Sequence, residues 1–179
     1  MMKVGHDEGV SMTNSPAGAE GAVGANIADA VRQAAERFPD AAALIGPWGT
    51  RTWAELDRAV DAGVRAWADV APGERVVLAL PTGPELAAAL FAALRAGLIA
   101  VPVDPERTDL GWVAERVGAR LVACADGAQE AGRVTTVGAV AAWWNAADDG
   151  AAAPERARAG GEDIALLARA SRSRMPVML

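Results

Sequence analysis

Apolar positions recur along this chain with two alternating periods, and each change of period marks a new element. Asn26 reads as a helix N-cap, and Ile27, Ala30, Val31, Ala34, Ala35 and Phe38 then fall at three-and-four spacing as one apolar stripe. Pro39-Asp40 ends it. Ala41–Ile45 predicts a short strand, Gly46-Pro47-Trp48-Gly49 a turn and Thr50–Thr52 the return strand of a hairpin. Thr52 and Glu55 form a capping-box pair for a helix that buries Leu56, Val60, Val64 and Trp67 and stops before Pro72-Gly73.

Beyond that point the pattern alternates strand with helix. Arg75–Leu80 is a nearly continuous apolar run between turn residues, which predicts a strand buried on both faces. Pro84–Ala96 predicts a helix with Gly97 at its C-terminal end, followed by a second buried strand at Leu98–Val103. A helix at Asp109–Val117, strands at Arg120–Ala125 and Arg133–Val137 and a short helix at Gly138–Asn145 complete the series. The expected fold class is α/β, a mostly parallel sheet with flanking helices.

Four blocks organise the chain. Residues 1–25, rich in Gly, Ala, Ser and Asn, read as a flexible leader, and 26–145 as the α/β unit. Residues 146–162 read as a linker, and 163–179 as one more strand with the segment after it. The glycines of Gly18–Gly24 follow no strand, so they do not make a dinucleotide-binding turn.

The 179 residues are 52% hydrophobic and 22% charged, which is a core-forming composition. A net charge of −6 gives no general attraction to a phosphate backbone, so nucleic acid is not expected as a partner. Of the 17 basic residues only Lys3 is a lysine. Cys124 and His6 are each the only residue of their type, which leaves no internal disulfide, no structural zinc set and no second histidine as a base. Cys124 is expected as a buried apolar residue. Asp104, Glu106 and Asp109 follow a strand end, where capping and turn roles outweigh a metal or acid–base pair. Neither a catalytic nor a metal residue is assigned. Of the tryptophans, Trp53 and Trp67 are expected in the core. Trp143 and Trp144 are adjacent, so on a helix one of them should face solvent. No run approaches the ~20 apolar residues of a membrane span and no secretory signal is evident, so the expected location is cytoplasmic.

Several segments, in order, resemble the AMP-forming adenylate-forming enzymes: acyl-CoA synthetases, fatty acyl-AMP ligases and peptide-synthetase adenylation domains. RTWAEL (Arg51–Leu56) is similar to a signature near that family's N-terminus. Ala71–Pro105 is similar to the stretch that follows, from a Pro-Gly turn to a Val-Pro-x-Asp-Pro strand end. FPDAAAL (Phe38–Leu44) and Val117–Asp126 also fit. The resemblance implies a partial N-terminal subdomain of such an enzyme, with ATP, magnesium and coenzyme A as the family's ligands.

GEDIALL (Gly161–Leu167) resembles the strand that leads into the family's phosphate-binding loop, T-S-G-T-T-G-x-P-K-G. Here Ala168–Pro176 stands in its place, with neither glycine nor lysine. Of the loop's chemistry only Ser171, Ser173 and Pro176 could correspond, and Ser171, Arg172, Ser173 and Arg174 are the candidate phosphate-loop remnant. In the family the acyl pocket, the adenine motif, the ribose-binding aspartate and the adenylation lysine lie further downstream. The expectation is therefore a truncated, ligase-like chain with a degenerate loop, unable to adenylate a carboxylate alone and needing no cofactor of its own.

The alternative is a non-catalytic interaction module. Ala88, Ala89 and Ala92 with Phe91 would offer a smooth surface on the helix Pro84–Ala96, which in peptide-synthetase relatives helps to dock a small accessory protein. An incomplete sheet would also expose apolar edges, so self-association or a protein partner is expected.

Overall fold

The computed structural model describes residues 26–124, 133–146, 166–169 and 176–178. The leader 1–25 and the linker expected at 146–162 lie outside them, apart from Ala146, which packs on the core.

The centre is a four-stranded, all-parallel sheet built from β3 (Arg75–Ala79), β4 (Ile99–Pro102), β5 (Ala119–Cys124) and β6 (Arg133–Thr136), in the spatial order β4-β3-β5-β6. Successive side chains of a strand point to opposite faces. Val76, Leu78 and Leu80 therefore join one apolar cluster, and Val77 and Ala79 the other. Both faces are covered, which is why the run reads as continuously apolar.

The larger cluster is roofed by α1 (Asp29–Arg37), α2 (Trp53–Ala66), α3 (Pro84–Arg95), α5 (Val137–Ala141) and a 3-10 turn, Ala142–Asn145. Trp67 is fully buried there and meets Trp143 edge-on, with ring centroids 5.1 Å apart. Across the sheet α4 (Leu110–Val117) lays Val113 and Ala114 on Val77, Val101 and Val122, and Cys124 is buried in the same cluster. The β3–α3–β4 connection thus uses one face. The β4–α4–β5 connection crosses β3 on the other, so strand order reverses between β3 and β5.

Local chemistry sets the element ends. The capping box at α2 forms: the Thr52 hydroxyl accepts from Glu55 N at 3.2 Å, and the Glu55 carboxylate accepts from Thr52 N at 2.8 Å. Before α2, β1 (Ala42–Gly46) and β2 (Gly49–Thr52) pair as the antiparallel hairpin. After α3 the chain reverses at Gly97, whose φ of 71° is a conformation a side chain would strain.

One ion network ties three helices together. Arg95 is 7% exposed and reaches Asp57 at 2.6 Å and Asp61 at 2.7 Å, while Arg32 of α1 also meets Asp61 at 3.1 Å. The Arg95 guanidinium also donates to the Ala28 carbonyl at 3.1 Å. A planar fork with several donors can satisfy all three acceptors from one position.

Two expectations are corrected. Asn26 does not cap α1, which begins three residues later. Its side-chain oxygen accepts from Ala28 N, and its amide donates to the Leu94 carbonyl at 2.6 Å. Ile27, in the turn that follows, is 65% exposed and Phe38, at the C-cap of α1, is 61% exposed, while Ala28 and Val31 are the buried positions. Trp143 and Trp144, in the 3-10 turn after α5, are both buried, because each is covered by a different partner. Trp143 packs on Trp67, and the Arg51 guanidinium covers the Trp144 ring 5.1 Å from its centroid.

Candidate functional site

In open parallel sheets the chain segments that leave the carboxyl ends of the strands are free to diverge, and ligands bind in the crevices between them. Here the end of β3 (residues 80–82), the loop after β4 (residues 102–106) and Leu86 of α3 enclose an open cleft of about 510 Å³. Three prolines, Pro81, Pro102 and Pro105, line it, and each has a fixed φ that stiffens its wall. The cleft lies one strand away from the reversal between β3 and β5.

Two carboxylates in this region, Asp104 and Asp109, hold the backbone. Asp104 accepts from Glu106 N at 2.9 Å and pairs with Arg107 at 3.6 Å, and Asp109 caps α4 by accepting from Trp112 N at 2.9 Å. These are the turn and cap roles that their position after a strand suggested. Among the described residues no group of three His, Cys, Asp or Glu side chains could hold a metal ion.

A second route reaches the same edge. Leu166 bridges Ala100 in parallel, and β7 (Leu167–Arg169) runs on beside β4. Leu166 stands opposite Ala100 of β4. β8 (Pro176–Met178) returns antiparallel, with Pro176 opposite Arg169. The two ends of the expected phosphate-loop segment are therefore placed at that edge. Ser171, Arg172, Ser173 and Arg174 themselves lie outside the described residues.

The alanines offered as a docking surface are packed inward. Ala88, Ala89 and Ala92 are fully buried, and Ala92 lies against Gly63 of α2; Phe91 is half-buried against the same core. Small side chains on α3 let the helices approach closely, so this face serves internal packing. No described helix is long and apolar enough to cross a membrane.

Reading the sequence did not find the cleft as a site. The signals were the PTGP and VPVDPE segments directly after two buried strands, but their approach to each other depends on β3 and β4 being neighbours. Arg75 was also missed: it donates to the Val117 and Gly118 carbonyls at 2.9 and 2.8 Å, and so fastens the end of α4 to β3.

Comparison with known proteins agrees with this geometry. A family model described as AMP-binding enzyme matches residues 31–167. The salicyl-AMP ligase / salicyl-S-ArCP synthetase of Mycobacterium tuberculosis is 38% identical over 89 residues, which cover 46% of this chain and 16% of the ligase. Among solved structures, VinN is 25% identical with a TM-score of 0.71, covering 81% of this chain and 42% of VinN. The N-terminal subdomain of Klebsiella oxytoca NpsA, in complex with 3-hydroxyanthranilyl-AMSN, has a TM-score of 0.71 at 23% identity, and covers 86% of this chain and 39% of its own; that likeness is one of fold. The chain thus spans less than half the length of each of these relatives.

Proposed function

The chain belongs to the AMP-binding enzyme family, and on that premise we propose that it provides the N-terminal scaffold of an AMP-dependent acyl-CoA synthetase or ligase without adenylating a carboxylate by itself. The observation that carries this reading is the composition of the segment between the paired residues Arg169 and Pro176. A phosphate-binding loop needs backbone N–H groups converging on the anion, which takes glycines for tight turns and close approach. Ala170-Ser171-Arg172-Ser173-Arg174-Met175 contains none.

ATP and magnesium do not fit the residues present. Adenylation develops charge on a departing pyrophosphate, and positioned cations with a metal must stabilise it. In this chain Lys3 is the only lysine, and among the described residues no group of three His, Cys, Asp or Glu side chains could hold a metal ion. Arg172 and Arg174 with Ser171 and Ser173 supply charge and hydroxyls but not the converging amides. Nothing in the described residues distinguishes a coenzyme A site.

The alternative of a docking module has less behind it, since Ala88, Ala89 and Ala92 are used up in packing. The test is calorimetry with millimolar Mg-ATP on the 179-residue chain, paired with ATP–pyrophosphate exchange in the presence of salicylate or L-aspartate. We expect no saturable heat and no acid-dependent exchange. Exchange above the acid-free control would overturn the proposal.

A further inference from the structure

The cleft at the ends of β3 and β4 has a chemistry opposite to that of an adenylation site, and we propose that it binds a small amphiphilic ammonium, an apolar body carrying one protonated amine. This inference goes beyond the scaffold reading and does not depend on it. At about 510 Å³ the cleft is in the size range of small-ligand sites. Its floor is apolar: Leu80, Leu86 and Val103 stand between the three prolines, so the wall needs little ordering on binding.

Among the described residues that line the cleft, the two charged ones are of one sign. They are the carboxylates of Asp104 and Glu106. One Asp104 oxygen is taken by Glu106 N, whereas the Glu106 carboxylate has no partner among the described residues. The cation nearest in sequence, Arg107, is 85% exposed and reaches Asp104 only at 3.6 Å, too loosely to neutralise the site. The ligands of adenylation chemistry, a carboxylate and a triphosphate, are both anions, and these side chains repel them. An ammonium would meet Glu106 at the rim while its hydrocarbon covers the floor, and the Thr82 hydroxyl can accept one of its protons.

The test uses the full chain, isotopically labelled, with n-hexylamine as the probe; at pH 7 it is protonated. Amide shifts of Thr82, Val103, Asp104 and Glu106 are followed by NMR against n-hexanoate and n-hexanol, which share the apolar body. We expect saturable shifts confined to these residues with n-hexylamine, and binding weaker by about tenfold for the other two. Glu106→Gln, an exposed change that leaves the turn bond to Glu106 N intact, is expected to weaken n-hexylamine about threefold. Equal binding of n-hexanol, an unchanged affinity in Glu106→Gln, or shifts centred elsewhere would each overturn the proposal.

Discussion

Gly63 of α2 stands directly against Ala92 of α3: a Cβ built on Gly63 would be 2.6 Å from the Ala92 Cβ and 2.7 Å from the Trp143 ring. Real Cβ atoms do not approach that closely, so the two helices are as near as a glycine permits. Gly63→Ala would gain ~1 kcal/mol in helix propensity. Overpacking of about 1–3 kcal/mol should exceed that gain. We expect a net loss of stability in urea denaturation, partly recovered by adding Ala92→Gly.

Arg95 satisfies two carboxylates and a backbone carbonyl; its removal takes the donor from Asp57 and the Ala28 carbonyl and leaves Asp61 with Arg32 alone. Arg95→Ala should cost about 3 kcal/mol, in the range found when one member of a buried pair is deleted. Arg95→Lys should recover less than half of that, because an ammonium cannot reproduce the fork. Denaturation midpoints of the two variants, at equal m-values, check both statements.

The capping box at Thr52 and Glu55 is local and reciprocal. Thr52→Ala is expected to destabilise by about 1 kcal/mol. Glu55→Ala adds little to it, since each residue's bond depends on the turn that the other holds. A double-mutant cycle on thermal melting would show the shortfall from additivity.

The tryptophans separate by location. Trp112 is 45% exposed, so Trp112→Ala should change stability by no more than about 0.5 kcal/mol. Trp67 is fully buried and edge-on to Trp143, and Trp67→Ala should cost about 3–5 kcal/mol. Thermal melts of the two variants, compared at one pH, would distinguish them; similar losses would contradict the packing described.

Short-range signals account for what was legible. Thr52 and Glu55 are three residues apart and their bonds involve no distant partner, so the start of α2 could be read directly. The runs at Arg75–Leu80 and Leu98–Val103 were legible because burial on both faces leaves no polar position. Asn26 misled for the opposite reason. Its amide donates to the Leu94 carbonyl, 68 residues away, and its oxygen accepts from Ala28 N, so it stands in a turn ahead of the helix. Trp143 and Trp144 misled similarly, because partners distant in sequence, Trp67 and Arg51, cover them.

By itself the sequence determined the element types, their order, the parallel α/β class and the missing glycines between Arg169 and Pro176. Each of these follows from periodicity, capping pairs or residue inventory, which act over a few residues. Only the tertiary structure decided that β3 lies between β4 and β5, and that the alanines of α3 face Gly63 rather than solvent. It also decided that the ends of two strands meet in an acidic cleft. Those outcomes depend on which faces come together once burial of apolar surface brings the elements into contact, and no short window of sequence carries that choice.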